Sequence, residues 1–253
     1  FKGLDPEKIR RNAQAARLVP PLRESVPDWL YAQGCEELGE AVWGEWLAAL
    51  NRPAPVVLRA NRLKTTREAL ARRLADEGIA TDPAPRAADG LILRERRNVF
   101  TSAAFASGLF EIQDGASQQV APLLAVTPGM RVIDACAGGG GKTLHLASLM
   151  GNKGKIISMD IHEKKLVELK KRAARGGVDI VETKLIEGTK TIKRLEKSAD
   201  RLLLDVPCSG LGVLRRNPDA KWKLNPEKMA HLRNLQAEIL SSYSSIAKPR
   251  GRM

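Results

Sequence analysis

Hydrophobic and polar positions follow different patterns along the chain. Up to about residue 50 the chain is rich in Ala, Leu, Glu and Arg, which is typical of helices, and Trp43 and Trp46 have the three-residue spacing of one helical face. The breaker NRPAP at 51–55 ends this region. Runs at 56–61 and 90–93 then predict strands, with a helix over 66–77 and a proline-containing loop before the second strand.

Strand and helix patterns alternate from about residue 113 onward. Apolar runs predict strands at 131–134, 155–160, 178–181 and 202–206, and a long helix over 227–247. Such alternation predicts an α/β fold with a doubly wound parallel sheet. We therefore expect a helical N-terminal segment (1–55), a small α/β subdomain (56–112) and a larger α/β domain (113–253).

Basic residues outnumber acidic ones, with 42 Lys and Arg against 29 Asp and Glu and a formal net charge of +13. This excess favours nucleic acid as a partner, because contacts with phosphates release counterions. A solvated helix face is the alternative interpretation of each basic cluster. The clusters are Lys8, Arg10 and Arg11; Arg59, Arg62, Lys64 and Arg67; Lys164, Lys165, Lys170, Lys171, Arg172 and Arg175; and Arg215, Arg216, Lys221 and Lys223.

The sequence also argues against several classes of protein. No apolar run reaches the ~18 residues of a membrane span, and no signal-peptide pattern occurs. Cys35, Cys136 and Cys208 are too few for a disulfide framework, and no Cys/His cluster has the spacing of a metal site. We expect a cytoplasmic monomer with no metal and no membrane partner.

A glycine-rich turn, DACAGGGGKT at 134–143, joins a predicted strand to a predicted helix. Glycine lets a ligand approach the backbone, and the first amides of a helix are free to donate, so this context favours a nucleotide-like cofactor. A Walker loop needs glycine at Cys136, and a GxGxxG motif needs it at Thr143 or Leu144, so both strict templates fail. A flexible loop without a ligand is the alternative.

Asp160 ends the next predicted strand, 22 positions after Gly138. A carboxylate at this place can accept hydrogen bonds from ribose hydroxyls. S-adenosylmethionine has such a ribose and lacks a pyrophosphate, so Asp160 and the failed phosphate templates together favour it over NAD or ATP. Capping of the helix that begins near Glu163 is an alternative role for Asp160, and the two roles are compatible.

The segment DVPCSG at 205–210 follows the apolar run at 202–204. An acid, Asp205, and a thiol, Cys208, are thereby placed near the carboxyl end of a predicted strand, where open α/β sheets bind their ligands. A tight turn with a buried cysteine is the alternative, because a free thiol is often buried.

These motifs together resemble the Sun/Fmu family of RNA 5-methylcytosine methyltransferases. The resemblance extends from about residue 25 to the end. Its segments are PDW at 27–29, LRAN at 58–61, QDGASQ at 113–118, PGMRVIDAC at 128–136, DVPCSGLG at 205–212, RRNPD at 215–219 and KW at 221–222. It implies a class I (Rossmann-like) methyltransferase sheet over 113–253, S-adenosylmethionine as cofactor, and structured RNA as partner, with rRNA favoured over tRNA. The small subdomain is then expected to be of an RNA-binding type.

The resemblance implies site residues as well. The expected cofactor-binding residues are Cys136, Ala137, Gly138, Gly139, Gly140, Gly141 and Lys142 in the loop, Asp160 at the ribose, Glu187 near the adenine, and Asp205. The family usually has Asp where this chain has Glu187, and commonly Pro where it has Gly139, which implies a more flexible loop. Basic and aromatic residues after DVPCSG suggest phosphate contacts and base stacking, with an ordinary surface loop as the alternative: Arg215, Arg216, Lys221 and Trp222.

The resemblance assigns two cysteines to the chemistry. A thiolate must add to carbon 6 of cytosine before carbon 5 can accept a methyl group, and a base must then remove the carbon 5 proton. Cys208, assisting product release, and Asp205 are the expected catalytic residues. The attacking cysteine belongs to a Thr-Cys-Ser motif after a strand expected to begin just beyond Met253. We therefore expect an incomplete chain that lacks its C-terminal strands and does not methylate RNA by itself.

Two other functions remain open from the sequence. A non-catalytic RNA-binding protein on a methyltransferase scaffold is compatible with the charge and with the missing nucleophile. An NAD-dependent oxidoreductase is supported by the glycine loop and Asp160, but it leaves the DVPCSG segment and the basic charge unexplained.

Overall fold

The computed structural model describes residues 5–253. The helices are α1 (Pro6–Leu18), α2 (Pro20–Arg23), α3 (Asp28–Leu38), α4 (Glu40–Leu50), α5 (Arg67–Asp76), α6 (Ala103–Ala106), α7 (Gly115–Leu123), α8 (Gly141–Leu149), α9 (Glu163–Gly176), α10 (Thr189–Lys193), α11 (Ala220–Lys223) and α12 (Pro226–Tyr243). The strands are β1 (Val57–Ala60), β2 (Thr81–Pro83), β3 (Gly90–Leu93), β4 (Phe110–Ile112), β5 (Arg131–Asp134), β6 (Lys155–Asp160), β7 (Val181–Leu185), β8 (Ala199–Leu203) and β9 (Ala247–Arg252).

The chain divides into two units. The first comprises the described residues up to Ala54 together with Cys208–Leu235, and the second comprises Pro55–Pro207 together with Gln236–Met253. Both sheets belong to the second unit. The first unit is helical and contains the segment that follows Pro207.

The core of the first unit forms where α3 meets α4. Leu30 of α3 packs against Trp43 and Leu47 of α4. Gly34 makes this contact possible, because a Cβ atom at that position would lie 2.2 Å from the Trp43 indole. Trp46 is 54% exposed, so the prediction that both tryptophans pack on one face is wrong. The core-facing pair is Trp43 and Leu47, which have the four-residue helical spacing.

A four-stranded antiparallel sheet with the order β2-β3-β1-β4 forms the first half of the second unit. Leu58 of β1 and Phe110 of β4 are fully buried against Leu70 and Leu74 of α5. The loop predicted before β3 contains a strand, β2, and Pro83 ends it. Because β2 is an edge strand, the missing proline N–H costs no hydrogen bond in the sheet.

A five-stranded sheet with the order β7-β6-β5-β8-β9 forms the second half, and all of its pairs are parallel. Val132 and Ile156 belong to the core cluster that contains residues of α7, α8 and α9. Ile133 and Ile157, one position further along each strand, belong to the cluster that contains residues of α10. Helices therefore cover both faces, which confirms the α/β, Rossmann-like fold class.

Three strands of the parallel sheet differ from the prediction. The third lies at Val181–Leu185 rather than 178–181, because Val178 still donates to Ala173 in the C-terminal turn of α9. The fourth begins at Ala199, three positions early. The fifth occupies Ala247–Arg252, where the sequence predicted the end of a helix and placed the next strand beyond Met253.

The small sheet and α9 are joined at the end of that helix. The side-chain amide of Asn61 donates to the carbonyls of Gly108 (2.9 Å) and Gly176 (2.8 Å). The Lys64 ammonium donates to the carbonyl of Arg175 at 2.7 Å. The last carbonyls of a helix lack partners within it and carry partial negative charge, so an amide and a cation there stabilise the helix end.

Within residues 5–253, no helix combines the length and the apolar character needed to cross a bilayer. In the same part of the chain, no three His, Cys, Asp or Glu side chains are grouped so that they could hold a metal ion.

Candidate functional site

The predicted site residues of the second unit follow the carboxyl ends of neighbouring parallel strands. The glycine loop follows β5, Asp160 ends β6, Glu187 follows β7, and Asp205 follows β8. The carboxyl ends of parallel strands lie at one edge of the sheet. The strand order runs from β5 through β6 to β7 on one side and from β8 to β9 on the other, and such folds bind ligands in the crevice where the two directions meet.

The glycine loop turns sharply between β5 and α8. Gly138 has a φ of +55° and Gly140 a φ of +85°, a left-handed conformation that glycine adopts without strain. Gly140 must also lack a side chain, because a Cβ atom there would lie 2.5 Å from Leu169 Cγ of α9. Gly140 precedes α8 and provides no side-chain cap, so the first amides of that helix are left for another acceptor.

Asp160 holds the loop at the edge of the sheet. Its Oδ2 accepts a hydrogen bond from the Gly138 amide at 2.9 Å, and its Oδ1 accepts one from the His162 amide at 2.8 Å. The carboxylate is 8% exposed. Asp160 was also considered as a cap for α9. No side chain caps that helix, and Asp160 binds only the amide of His162, the residue before its first turn. Each carboxylate oxygen keeps a second lone pair for a further donor.

Lys142 and Asp205 form an ion pair between the first turn of α8 and the segment after β8. The Lys142 side chain is 17% exposed, and the Asp205 side chain is 50% exposed. β5 and β8 are adjacent in the sheet, which brings these residues together although they are 63 positions apart in sequence. The two motifs of the sequence therefore meet at this pair.

Burial sets the protonation of two groups at the start of the glycine-rich turn. It raises the pKa of Asp134, which ends β5, to about 6, although the carboxylate accepts a hydrogen bond from the Thr143 hydroxyl at 2.7 Å. Burial also raises the pKa of Cys136 to about 11, and the negative charges of Asp134, Asp160 and Asp205 add to this effect. At neutral pH Cys136 is a protonated thiol, which suits a loop residue and not an attacking thiolate.

We expect Asp134→Asn to stabilise the protein at neutral pH but not at acidic pH. The raised pKa means that ionised Asp134 is destabilising, with no penalty below about pH 4 and the full penalty of about 3 kcal/mol above about pH 6. The asparagine side chain has two N–H donors that the Asp134 carboxylate lacks, and the cost of burying them offsets part of the gain. The gain at pH 7.5 is therefore expected to be about 1–2 kcal/mol. Urea unfolding at pH 7.5 and pH 4 measures it, and an equal gain at both values would contradict the assignment.

Two family models match the sequence. Residues 121–253 match the 16S rRNA methyltransferase RsmB/F model, and residues 26–100 match the ferredoxin-like domain of RsmF/B-like methyltransferases. The chain belongs to the RsmB/F methyltransferase family. This membership confirms the Sun/Fmu resemblance and S-adenosylmethionine as the cofactor.

Individual relatives agree with the RsmB/F assignment. The chain is 37% identical to the probable ribosomal RNA small subunit methyltransferase B of Synechocystis sp., over 98% of this chain and 54% of that protein. It is 34% identical to ribosomal RNA small subunit methyltransferase B of Pseudomonas syringae pv. tomato, over 92% and 54%. The chain thus spans about half the length of these curated relatives. A crystal structure of a methyltransferase homolog protein from Pyrococcus horikoshii has a TM-score of 0.80 and 28% identity, over 98% of this chain and 75% of that one.

The remaining predicted RsmB/F site residues have different environments. Glu187 is exposed and lies two positions after β7, whose last residue pairs with Asp160. Cys208 is exposed in the first unit, where the structure does not bury it as the tight-turn alternative expects. The roles of both residues remain predictions.

Some of the residues after DVPCSG that were predicted to contact phosphates instead contact other residues of the first unit. Lys221 is 6% exposed and lies 3.5 Å from Asn51 Oδ1, and Arg215 donates to the carbonyls of Arg52 and Pro53. Trp222 is 56% exposed and keeps its stacking face available. The burial of Lys221 was not visible in the sequence, because charged residues, Asp219 and Lys223, lie two positions away on either side.

Three arginines of the second and third basic clusters are buried or paired in the structure, which the sequence did not predict. Arg59 is 2% exposed, and Arg172 and Arg175 form ion pairs with Glu111, which is itself 6% exposed. The side chains of Arg172 and Arg175 are 19% and 23% exposed, so these three arginines do not form a solvated helix face. An arginine within the apolar run VVLRA was the one signal in the sequence that could have indicated burial.

Proposed function

We propose that the whole protein methylates carbon 5 of a cytosine in 16S rRNA, with S-adenosylmethionine as the methyl donor. The observation that carries this proposal is the ion pair between Lys142 and Asp205. It joins the cofactor loop to the acid of the DVPCSG segment, so that a donor on the loop and a base beside Asp205 share one edge of the sheet.

The loop fits the donor in two respects. The first turn of α8 has amides without a side-chain cap, which suits the carboxylate of the methionine part of the molecule. A Cβ atom at Gly138 would meet no other atom within 4 Å, so there is room above the loop. We assign the ribose hydroxyls to Asp160 and the adenine to the surroundings of Glu187. S-adenosylmethionine supplies an electrophilic methyl group on a sulfonium sulfur.

The proposed reaction begins at carbon 6 of cytosine. A cysteine thiolate bonds to carbon 6, and the electron pair of the 5,6 double bond attacks the methyl carbon, whose bond to sulfur breaks with the pair remaining on sulfur. A base then removes the carbon 5 proton, the double bond forms again, and the thiolate leaves carbon 6. N3 of the ring takes up a proton from solvent as the thiolate adds and returns it when the thiolate leaves. Asp205 holds this cytosine edge and stabilises the protonated base in the adduct.

The cysteines divide this work unequally in our proposal. Cys136 is excluded as the attacking group, because its pKa of about 11 leaves almost no thiolate at neutral pH. Cys208 is exposed and follows Asp205 by three positions within the DVPCSG segment, and we assign it to product release. The attack belongs to the second cysteine that the family resemblance implies, in a Thr-Cys-Ser motif.

The surface that contacts RNA is proposed from the basic side chains that the fold leaves exposed. On α9 these are Lys164, Lys165, Lys170 and Lys171. Such lysines contribute affinity through the RNA backbone and carry little sequence information, so they support binding of structured RNA and do not identify the target nucleotide.

Deleting the gene tests the proposal directly. We expect at least one cytosine of 16S rRNA to lose its resistance to bisulfite conversion, because 5-methylcytosine converts more slowly than cytosine. Complementation with the wild-type gene should restore the resistance, and complementation with Asp205→Asn should not.

The pattern of results separates the alternatives. Unchanged bisulfite maps of all rRNA would contradict 16S rRNA as the substrate. A normal map together with retained RNA binding by the purified protein would favour the non-catalytic RNA-binding alternative. Calorimetric binding of NAD in place of S-adenosylhomocysteine would favour the oxidoreductase.

A further inference from the structure

Three charged side chains converge behind the glycine loop, on the side of the small antiparallel sheet. Arg59 of β1 and Glu111 of β4 are cross-strand partners and are 2% and 6% exposed. Arg172 reaches them from α9. None of the three belongs to the residues that the sequence predicted for cofactor binding or catalysis.

Arg59 holds the end of the loop. Its Nη1 donates to the carbonyl oxygen of Gly141 at 2.7 Å and also to Oε1 of Gln113. Gln113 is itself fixed, since its Nε2 donates to the Ser117 hydroxyl at 3.2 Å. The guanidinium therefore reaches the first residue of α8 from a strand of the neighbouring subdomain, with its direction set by a second hydrogen bond.

Arg172 holds the middle of the loop. Its Nη1 donates to the carbonyl oxygen of Gly139 at 2.6 Å, while its Nε and Nη2 donate to Oε2 of Glu111 at 3.0 and 2.8 Å. Glu111 also accepts from Arg175, so one carboxylate of the small sheet orients Arg172 toward the loop and offsets part of the positive charge beside it. Two carbonyls of a four-glycine loop are thus bound by guanidinium groups.

Fixing these carbonyls also fixes the opposite face of the loop. The carbonyl of Gly141 and the amide of Lys142 belong to one planar peptide group and point in opposite directions. A guanidinium that holds the carbonyl therefore directs the amide away from the small sheet. A loop held in its binding shape before the ligand arrives loses less conformational entropy on binding.

The burial of Arg59 needs a reason beyond packing. A buried guanidinium loses its hydration, and an apolar side chain of similar size often stabilises a core at least as well. Within the described part of the chain the Nε of Arg59 has no hydrogen-bond partner, so its burial is not fully compensated. Arg59 donates a hydrogen bond to the loop carbonyl of Gly141, which an apolar side chain could not do.

We propose that Arg59 is a positioning residue for the methyl donor, and that it sets the affinity of the glycine loop for S-adenosylmethionine from the neighbouring subdomain. Arg172, oriented by Glu111, supports the same loop at Gly139. This inference rests on the proposed function, because it takes the loop as the donor site.

Calorimetry with S-adenosylhomocysteine on the whole protein tests this role. We expect Arg59→Met to raise Kd by about tenfold or more, and Arg59→Lys, which keeps a charged donor without the rigid fork, to raise it by about threefold. Hydrogen exchange supplies a second measurement: the amides of Lys142 and Thr143 should exchange faster in Arg59→Met.

Asn61→Ala is the matched control. Asn61 also joins the small sheet to the parallel-sheet half, through the Gly176 carbonyl, but it makes no hydrogen bond to the glycine loop. We expect this variant to lower Tm while Kd changes by less than about twofold. Equal increases of Kd in Asn61→Ala and Arg59→Met would reduce Arg59 to a general stabilising contact and overturn the inference.

Two further outcomes are decisive. Wild-type affinity and wild-type exchange of the loop amides in Arg59→Met would overturn the positioning role and leave the proposed function intact. Failure of the unsubstituted protein to bind S-adenosylhomocysteine would overturn the proposed function, and the inference with it.

Discussion

Asp205→Asn is expected to lower kcat for methyl transfer by about two to three orders of magnitude. The variant keeps the size of the side chain and one acceptor oxygen, but it removes the negative charge that faces Lys142 and, in our proposal, the cytosine ring. The charge matters most while the ring carries a proton on N3 in the adduct, so kcat should fall more than the affinity for the donor. Transfer of a labelled methyl group to unmethylated 16S rRNA measures the effect.

Glu182→Gln provides the control for Asp205→Asn. Glu182 pairs with Lys155 at 2.6 Å, and its side chain is 52% exposed, close to the 50% of Asp205. Lys155 begins β6, so the pair lies away from the carboxyl edge of the same sheet. We expect Glu182→Gln to leave kcat within about twofold of wild type, as for most exposed ion pairs. If Asp205→Asn had the same kcat as this control, Asp205 would have no catalytic role.

Cys208→Ser is expected to trap the RNA on the protein. If Cys208 assists release, its loss leaves the bond between the attacking cysteine and carbon 6 in place after methyl transfer. Turnover should then fall by about a hundredfold or more, as for the loss of a proton-transfer group. Labelled RNA should migrate with the protein on a denaturing gel, in a manner that depends on S-adenosylmethionine.

Cys35→Ser serves as the control for this trap, because Cys35 is a half-buried residue of α3 in the first unit. It should show neither a covalent complex nor reduced turnover. Loss of turnover by Cys208→Ser without any covalent complex would indicate that Cys208 itself attacks the base, and our division of roles would be wrong.

The local parts of the site could be predicted from the sequence. Four glycines between a strand and a helix, and an acid that ends the next strand, are patterns within a short stretch of chain. The structure places Gly138, which follows β5, in direct contact with Asp160, which ends β6. The contact between Lys142 and Asp205 could not be predicted in the same way, because it depends on β8 lying beside β5.

The arginines behind the loop were misjudged for a physical reason. All four residues of β1 are buried, so the strand lacks the alternation of exposed and buried positions that would mark an inward-facing side chain. Arg59 was therefore counted among the basic side chains that could contact RNA. The strand β9 was missed because Pro249 and Gly251 argue against a strand interior, although both residues are tolerated at the edge of a sheet.

The arginines behind the loop have a consequence for how such proteins diverge. Arg59 of the small sheet binds the loop carbonyl of Gly141, and Glu111 of the same sheet orients Arg172, which binds the loop carbonyl of Gly139. A recombination event that exchanged the small subdomain between two relatives would therefore exchange part of the loop's support, even with every glycine of the loop unchanged. The segments on either side of residue 113 are expected to be inherited together.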